Sequence, residues 1–221
     1  MMFRSLSLAS ALAVAGTMAF GATTTYTAEA ILPGGLGTLQ AERADWAADF
    51  GGTLSTEGFE GLVADPGLVT DFGGFTLTYA GVGGLTLYGS NPLTRTEGAQ
   101  GLGFSGSGSI TLSFTSAINA FGIDWSSFDN AATNVSYGDS AGNVIADLFQ
   151  PVTRSGAGFF GIIDTGGFSW ITFDVTSQEI MEFDFIQYGV ASDPSLIPLP
   201  AGLPLLVAGL GTLAVLRRRQ G

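Results

Sequence analysis

Four stretches of this chain alternate apolar and polar residues with a period of two: Phe75-Thr76-Leu77-Thr78-Tyr79, Ser109-Ile110-Thr111-Leu112-Ser113-Phe114, Trp170-Ile171-Thr172-Phe173-Asp174-Val175 and Met181-Glu182-Phe183-Asp184-Phe185. Successive side chains of an extended strand leave opposite faces, so each stretch offers one apolar face to a core and one polar face elsewhere. Sheets that read this way are antiparallel and packed on one side. Further strands are predicted at residues 53–60, 85–88, 118–125, 134–137, 144–149 and 159–164. Gly138-Asp139-Ser140-Ala141-Gly142-Asn143 supplies the residues of a hairpin tip. The expectation is an all-β fold, an antiparallel two-sheet β-sandwich of jelly-roll type over residues 53–191. The 34 glycines agree with short strands and tight turns.

One helix is predicted ahead of the sandwich, over residues 38–50 within an N-terminal segment 22–52. Leu39, Trp46 and Phe50 share a face there, with Glu42, Arg43, Asp45 and Asp49 largely opposite, and Gly51-Gly52 ends it.

Composition narrows the chemistry. The chain has no Cys and no His, and all its basic residues are Arg, which excludes disulfides, Cys/His zinc sites, Cys nucleophiles, Ser-His-Asp triads and Schiff-base lysines. Four of the seven arginines lie in the terminal segments, leaving three against 19 acids, a net of −16 for the body. Such a surface repels nucleic-acid phosphates and excludes nucleic acid as a partner.

Both ends read as addresses. Residues 1–21 have Arg4 as a positive start, an uncharged run to Phe20, and Ala19-Phe20-Gly21 where signal peptidase needs small residues, so a signal helix and cleavage after Gly21 by the general secretion machinery are expected. Residues 194–216 carry no charge and stop at Arg217-Arg218-Arg219, the pattern of a C-terminal transmembrane helix with the body outside and the arginines inside. Pro198, Pro200 and Pro204 hold the approach to that span extended.

In that tail, residues 192–221, Ile197-Pro198-Leu199-Pro200-Ala201 with Gly202-Leu203-Pro204-Leu205-Leu206, Gly209-Leu210-Gly211 and the terminal Arg217, Arg218 and Arg219 resemble the VPLPA variety of the PEP-CTERM sorting signal, with Ile197 in place of the usual Val. The resemblance implies an exosortase-type membrane protease of Gram-negative bacteria as partner. It also implies inner-membrane anchoring before processing, release to the cell surface or matrix, and association with exopolysaccharide or biofilm. The body is similar, more loosely, to the β-sandwich of many such proteins at Gly58-Phe59-Glu60-Gly61, Ala120-Phe121-Gly122-Ile123-Asp124, Phe159-Phe160-Gly161-Ile162-Ile163-Asp164 with Gly167-Phe168, and Phe183-Asp184-Phe185-Ile186.

The function expected is that of a non-enzymatic exported surface or matrix protein. The alternatives are a calcium-dependent carbohydrate-binding module and a secreted glycan hydrolase. In a jelly roll whose first and last strands are neighbours, Glu57 and Glu60 would approach Glu182 and Asp184, and such carboxylates suit Ca²⁺. The other reading is solvated strand-face acids. Carboxylate pairs at glycosidase spacings occur by chance among 19 acids, so they assign no catalytic residue. Among the amphipathic rings Trp46, Tyr88, Trp125, Tyr137 and Trp170, the run at Trp125 with Asp129 and Asn130 is the expected glycan platform.

Overall fold

The computed structural model describes residues 22–30, 36–88, 97–127, 132–151 and 156–191. The predicted signal helix, transmembrane helix and sorting motif lie outside these residues.

The elements in chain order are β1 (Thr23–Ala30), α1 (Leu36–Phe50), β2 (Thr53–Glu57), β3 (Val69–Asp71), β4 (Phe75–Gly81), β5 (Leu85–Tyr88), β6 (Gly101–Ser127), β7 (Ala132–Gly138), β8 (Val144–Pro151) and β9 (Gly156–Val190). Every strand pairing is antiparallel. Where two separate sheets are expected, the hydrogen-bonded ladder is one continuous nine-stranded sheet. Two long elements make it continuous. Residues 108–113 of β6 pair with 170–175 of β9, whereas residues 120–127 pair on one side with 181–189 and on the other with 156–163. Both elements therefore run through two layers and bend between them. Gly167, at φ 76°, makes one of the bends in β9.

The first layer contains β1, residues 156–163, residues 118–127, residues 181–190 and β2. The second contains β3, β4, residues 108–114, residues 168–175, β7 and β8. The aromatic contacts show them folded face to face. Phe173 is flanked in its own ladder by Ile110 and Val135. Yet its ring meets Phe121 at 6.0 Å, Phe160 at 6.3 Å and Phe183 at 5.0 Å, all from the first layer. The inward rows of both layers form one apolar core of Phe, Ile, Leu and Val, whose removal from water drives the fold at about 25 cal/mol per Å².

A second, smaller core lies on the outer side of the first layer, where Leu39, Trp46 and Phe50 of α1 cover Ala120, Ala157, Phe159 and Ile163. Gly122 and Gly161 admit the indole: a Cβ on either would stand within 3.0 Å of it. The Trp46 N–H donates to the Ile162 carbonyl at 3.2 Å.

The predicted alternating strands and the helix are present, and the 138–143 hairpin tip joins β7 to β8. Two strands were not foreseen. The start of the N-terminal segment 22–52 carries no predicted strand, but β1 zips along residues 157–164 of β9 through all eight of its positions. The three-residue β3 is too short to show a period.

Candidate functional site

Two polar surfaces follow from the alternation, on opposite sides of the folded sheet. One is covered by α1 and the other is open.

On the covered side, the strand positions that do not enter the main core carry Asp124, Ser126, Glu182 and Asp184, each 1–2% exposed. Asp124 and Asp184 are directly opposite in the ladder, and Ser126 faces Glu182. Arg43 reaches down from α1. Its Nη1 donates to Asp124 Oδ2 at 2.7 Å, its Nη2 bonds the Glu97 carboxylate, and its guanidinium lies 4.4 Å from the Phe185 ring centroid. Two other acids bind backbone amides. Asp184 Oδ2 accepts from Glu97 N at 2.8 Å, and Glu60 Oε1 accepts from Ala99 N at 2.6 Å and Gln100 N at 2.9 Å. Residues 97–100 are thus strapped onto the body by carboxylates, a charge-assisted arrangement stronger than neutral hydrogen bonds. Glu57 Oε1 accepts from Phe59 N at 2.7 Å and holds the turn in which Phe59 takes a left-handed φ of 61°.

The neighbouring terminal strands expected from sequence are real, since β2 pairs with residues 186–190. The four acids assigned to calcium nevertheless have separate tasks: Glu57 and Glu60 fix turns and straps, while Glu182 and Asp184 are buried under the helix side. Among the described residues no three acids are grouped to hold a metal ion.

Trp125 is not a surface ring. It belongs to the main core at 9% exposure and lies over Gly158, where an added Cβ would stand 2.2 Å from its ring. The reason is parity: Phe121, Ile123 and Trp125 share the inward face. Asp129 and Asn130 lie outside the described residues. Trp46 and Tyr137 are likewise buried, and burial, reinforced by Asp164, pushes the Tyr137 phenol up to about 12.

Tyr88 and Trp170 are only partly buried. Trp170 occupies the outward row of the second layer with Thr172 and Asp174, while Ile171, Phe173 and Val175 point inward. The register builds a surface around it. One rank across the strands reads Thr76, Ser113, Trp170 and Gly138; the next reads Thr78, Thr111, Thr172 and Ser136; the third reads Ala80, Ser109, Asp174 and Asn134. None of these side chains is in the core, and Ser113 and Ala80 are exposed. Trp170 lies across Gly138, since a Cβ there would stand 2.4 Å from its ring. The half-buried indole therefore packs against Gly138. Thr111 and Thr172 hydroxyls bond each other at 2.8 Å and knit two of the strands. The result is a patch of hydroxyls, an amide and one carboxylate beside a half-buried indole. An aromatic face stacks on apolar C–H surface while adjacent hydroxyl, amide and carboxylate groups exchange hydrogen bonds, which is the chemistry of sugar recognition.

No protein-family model matches the chain, and no curated protein matches it significantly. Among solved structures it is similar to the CBM22-1 xylan-binding domain from Paenibacillus barcinonensis Xyn10C, with 14% identity, 64% of this chain and 97% of that one covered, and a TM-score of 0.41. It is also similar to a family 29 carbohydrate-binding module, at 11% identity, 64% and 93% coverage and a TM-score of 0.37. A third likeness is to the enzymatically active domain of tailspike protein 4 from bacteriophage CBA120, at 15% identity and a TM-score of 0.40. The match takes in 54% of this chain and spans a fifth of the tailspike domain's length, 20%.

Proposed function

We propose that this chain is a non-enzymatic, exported protein whose β-sandwich binds neutral polysaccharide at the open face around Trp170, and whose tail is a sorting signal cut by an exosortase-type protease. The observation that carries the binding reading is the packing of the partly buried Trp170 on Gly138 amid ranks of outward hydroxyls. The body charge argues for a neutral ligand, because anionic polymers would be repelled by a net −16. The sorting reading rests on the sequence at residues 197–201 and 217–219.

Affinity electrophoresis through neutral polysaccharide gels tests the first half. Retardation of the wild type, lost at least about tenfold in Trp170→Ala and retained in a Trp170→Phe variant, is the expected result; a tenfold change corresponds to about 1.4 kcal/mol. Equal migration of all three forms in every gel would refute the platform. Fractionation of the wild type beside a chain ending at Ser195 tests the second half. Equal release of both in cells with and without the sorting protease would exclude a sorting role for the tail.

A further inference from the structure

Ala22, the first described residue, is bonded twice to one partner. Its backbone N donates to Thr165 Oγ1 at 2.8 Å, and its carbonyl accepts from Thr165 N at 3.2 Å. The next residue enters a buried polar network. Thr23 Oγ1 donates to Asp164 Oδ2 at 2.9 Å and meets the Tyr137 hydroxyl at 2.8 Å, and Tyr137 donates to the same Asp164 oxygen at 3.0 Å. Asp164 is 1% exposed, and its other oxygen accepts from Gly166 N at 2.8 Å. The Asp164 carboxylate is thus bonded to the side chain of Thr23, the residue after Ala22. The predicted signal-peptidase cut falls between Gly21 and Ala22.

We infer that the α-ammonium released by that cut is seated on Thr165 above the Asp164 carboxylate, so that maturation of the N-terminus locks the edge strand β1 to the sheet. This inference rests on the reading of residues 1–21 as an export signal. The chemistry is amide hydrolysis: water adds across the Gly21–Ala22 bond, Gly21 leaves with a carboxylate and Ala22 keeps the nitrogen as an ammonium, with no other co-reactant. The product nitrogen holds three N–H donors where the amide held one. It also gains a positive charge one residue from Thr23, whose hydroxyl donates to the buried Asp164, whereas a longer N-terminus would leave an uncharged amide at the same point. The titratable groups bonded at this end of β1 are Asp164 on the paired strand and Tyr137 on β7. Tyr137 stays neutral below about 12, which leaves Asp164 as the acid at this end of β1.

The sign of the pH dependence follows. A free α-amino group titrates near about 7.7–8.0, and pairing with Asp164 raises that value in the folded state. The added stability is then complete below the free value and is lost as pH rises through the folded one. The test uses the full chain, exported from a Gram-negative host, beside a variant with one Ala inserted after Gly21, which moves the ammonium one residue away from Thr165. Intact mass should show the wild type beginning at Ala22. The wild type should melt about 2–4 °C above the insertion variant at pH 6, the shift expected of about 1 kcal/mol in a domain of this size, and the gap should close by pH 10. Replacing Thr165 with Ser should keep the gap. A mature chain that starts elsewhere, or equal melting at both pH values, overturns the seat. A chain that is exported and never cut overturns both the seat and the signal reading, whereas correct cutting with no melting gap overturns the seat alone.

Discussion

The two outer faces of the sheet are built by the same alternation and end in opposite states. On the first layer the outward row holds Asp124, Ser126, Glu182 and Asp184, and it is buried beneath α1 and the 97–101 stretch. On the second, the outward row of hydroxyls and Trp170 remains half-exposed. A polar strand face is therefore no guarantee of solvent. What differs is the presence of glycine pits and a complementary cation: Gly122 and Gly161 seat Trp46, and Arg43 meets Asp124 and Glu97. The second layer spends its facing glycine, Gly138, on seating its own Trp170, and so leaves that ring at the surface.

Removing the helix anchor should break this contrast most severely. Trp46 is fully buried, meets the Phe159 ring at a tilt of 59° with centroids 5.7 Å apart, and donates to Ile162. Trp46→Ala should cost about 3–5 kcal/mol in urea unfolding, the range for large core aromatics, and should expose the acids of the covered face to protease and solvent. A loss below about 1 kcal/mol would mean that α1 is not needed to hold that face.

Arg43→Met comes next. The substitution keeps the aliphatic stem but leaves Asp124 buried without its guanidinium, and breaking a buried pair costs about 3–5 kcal/mol. Because Arg43 retains some exposure, with 12% of its side-chain surface accessible, the effect belongs at the low end. The double variant Arg43→Met with Asp124→Asn should regain part of the loss. No recovery would assign the cost to the Phe185 contact instead.

Tyr137→Phe should cost about 1–2 kcal/mol, since it removes the hydroxyl bonded to Thr23 and Asp164. It also changes the alkaline limb. Burial and Asp164 raise this phenol to about 12. Because the neutral form is the one the fold favours, its contribution is complete below the free value near about 10 and is lost as pH climbs toward 12. The wild type should lose stability over that window more steeply than the variant. Parallel curves would show that Tyr137 does not titrate with unfolding.

Much of this was legible by parity alone. Phe121, Ile123 and Trp125 share one phase and Trp170, Thr172 and Asp174 the other, so their phases place Trp125 in the core and Trp170 outside. Choosing Trp125 for its polar neighbours further along the chain ignored that phase. Arg43 is similar: Leu39, Arg43, Trp46 and Phe50 stand at helical spacings of four, three and four, which puts the arginine on the buried stripe rather than opposite it. Other features left no local mark. The bends that carry β6 and β9 between layers depend on pairing partners far apart in sequence, and the Thr-rich β1 has no apolar period because an edge strand exposes most of its side chains. Whether a polar row would be covered was decided by the helix, not by the strand that carries it.

The smallest effects on stability should come from the open face, and there the comparison is sharpest. Ser113 is exposed and sits directly across the ladder from Trp170. Surface substitutions without a cap, pair or buried bond change stability by within about 0.5 kcal/mol, so Ser113→Ala should unfold like the wild type. If the open face is a binding surface, the same change should weaken retention in neutral polysaccharide gels by about three- to tenfold, because a hydrogen bond contributes about 0.5–1.5 kcal/mol. Ser126→Ala is its counterpart on the covered face. Ser126 is 2% exposed and its hydroxyl has no hydrogen-bond partner among the described residues, so removing that oxygen should leave retention untouched and leave stability unchanged or slightly higher. Unfolding curves and gel retention measured on both variants therefore separate the two faces. A Ser113→Ala protein that unfolds normally and is retained like the wild type would show that exposure alone, without recognition, distinguishes the second face from the first.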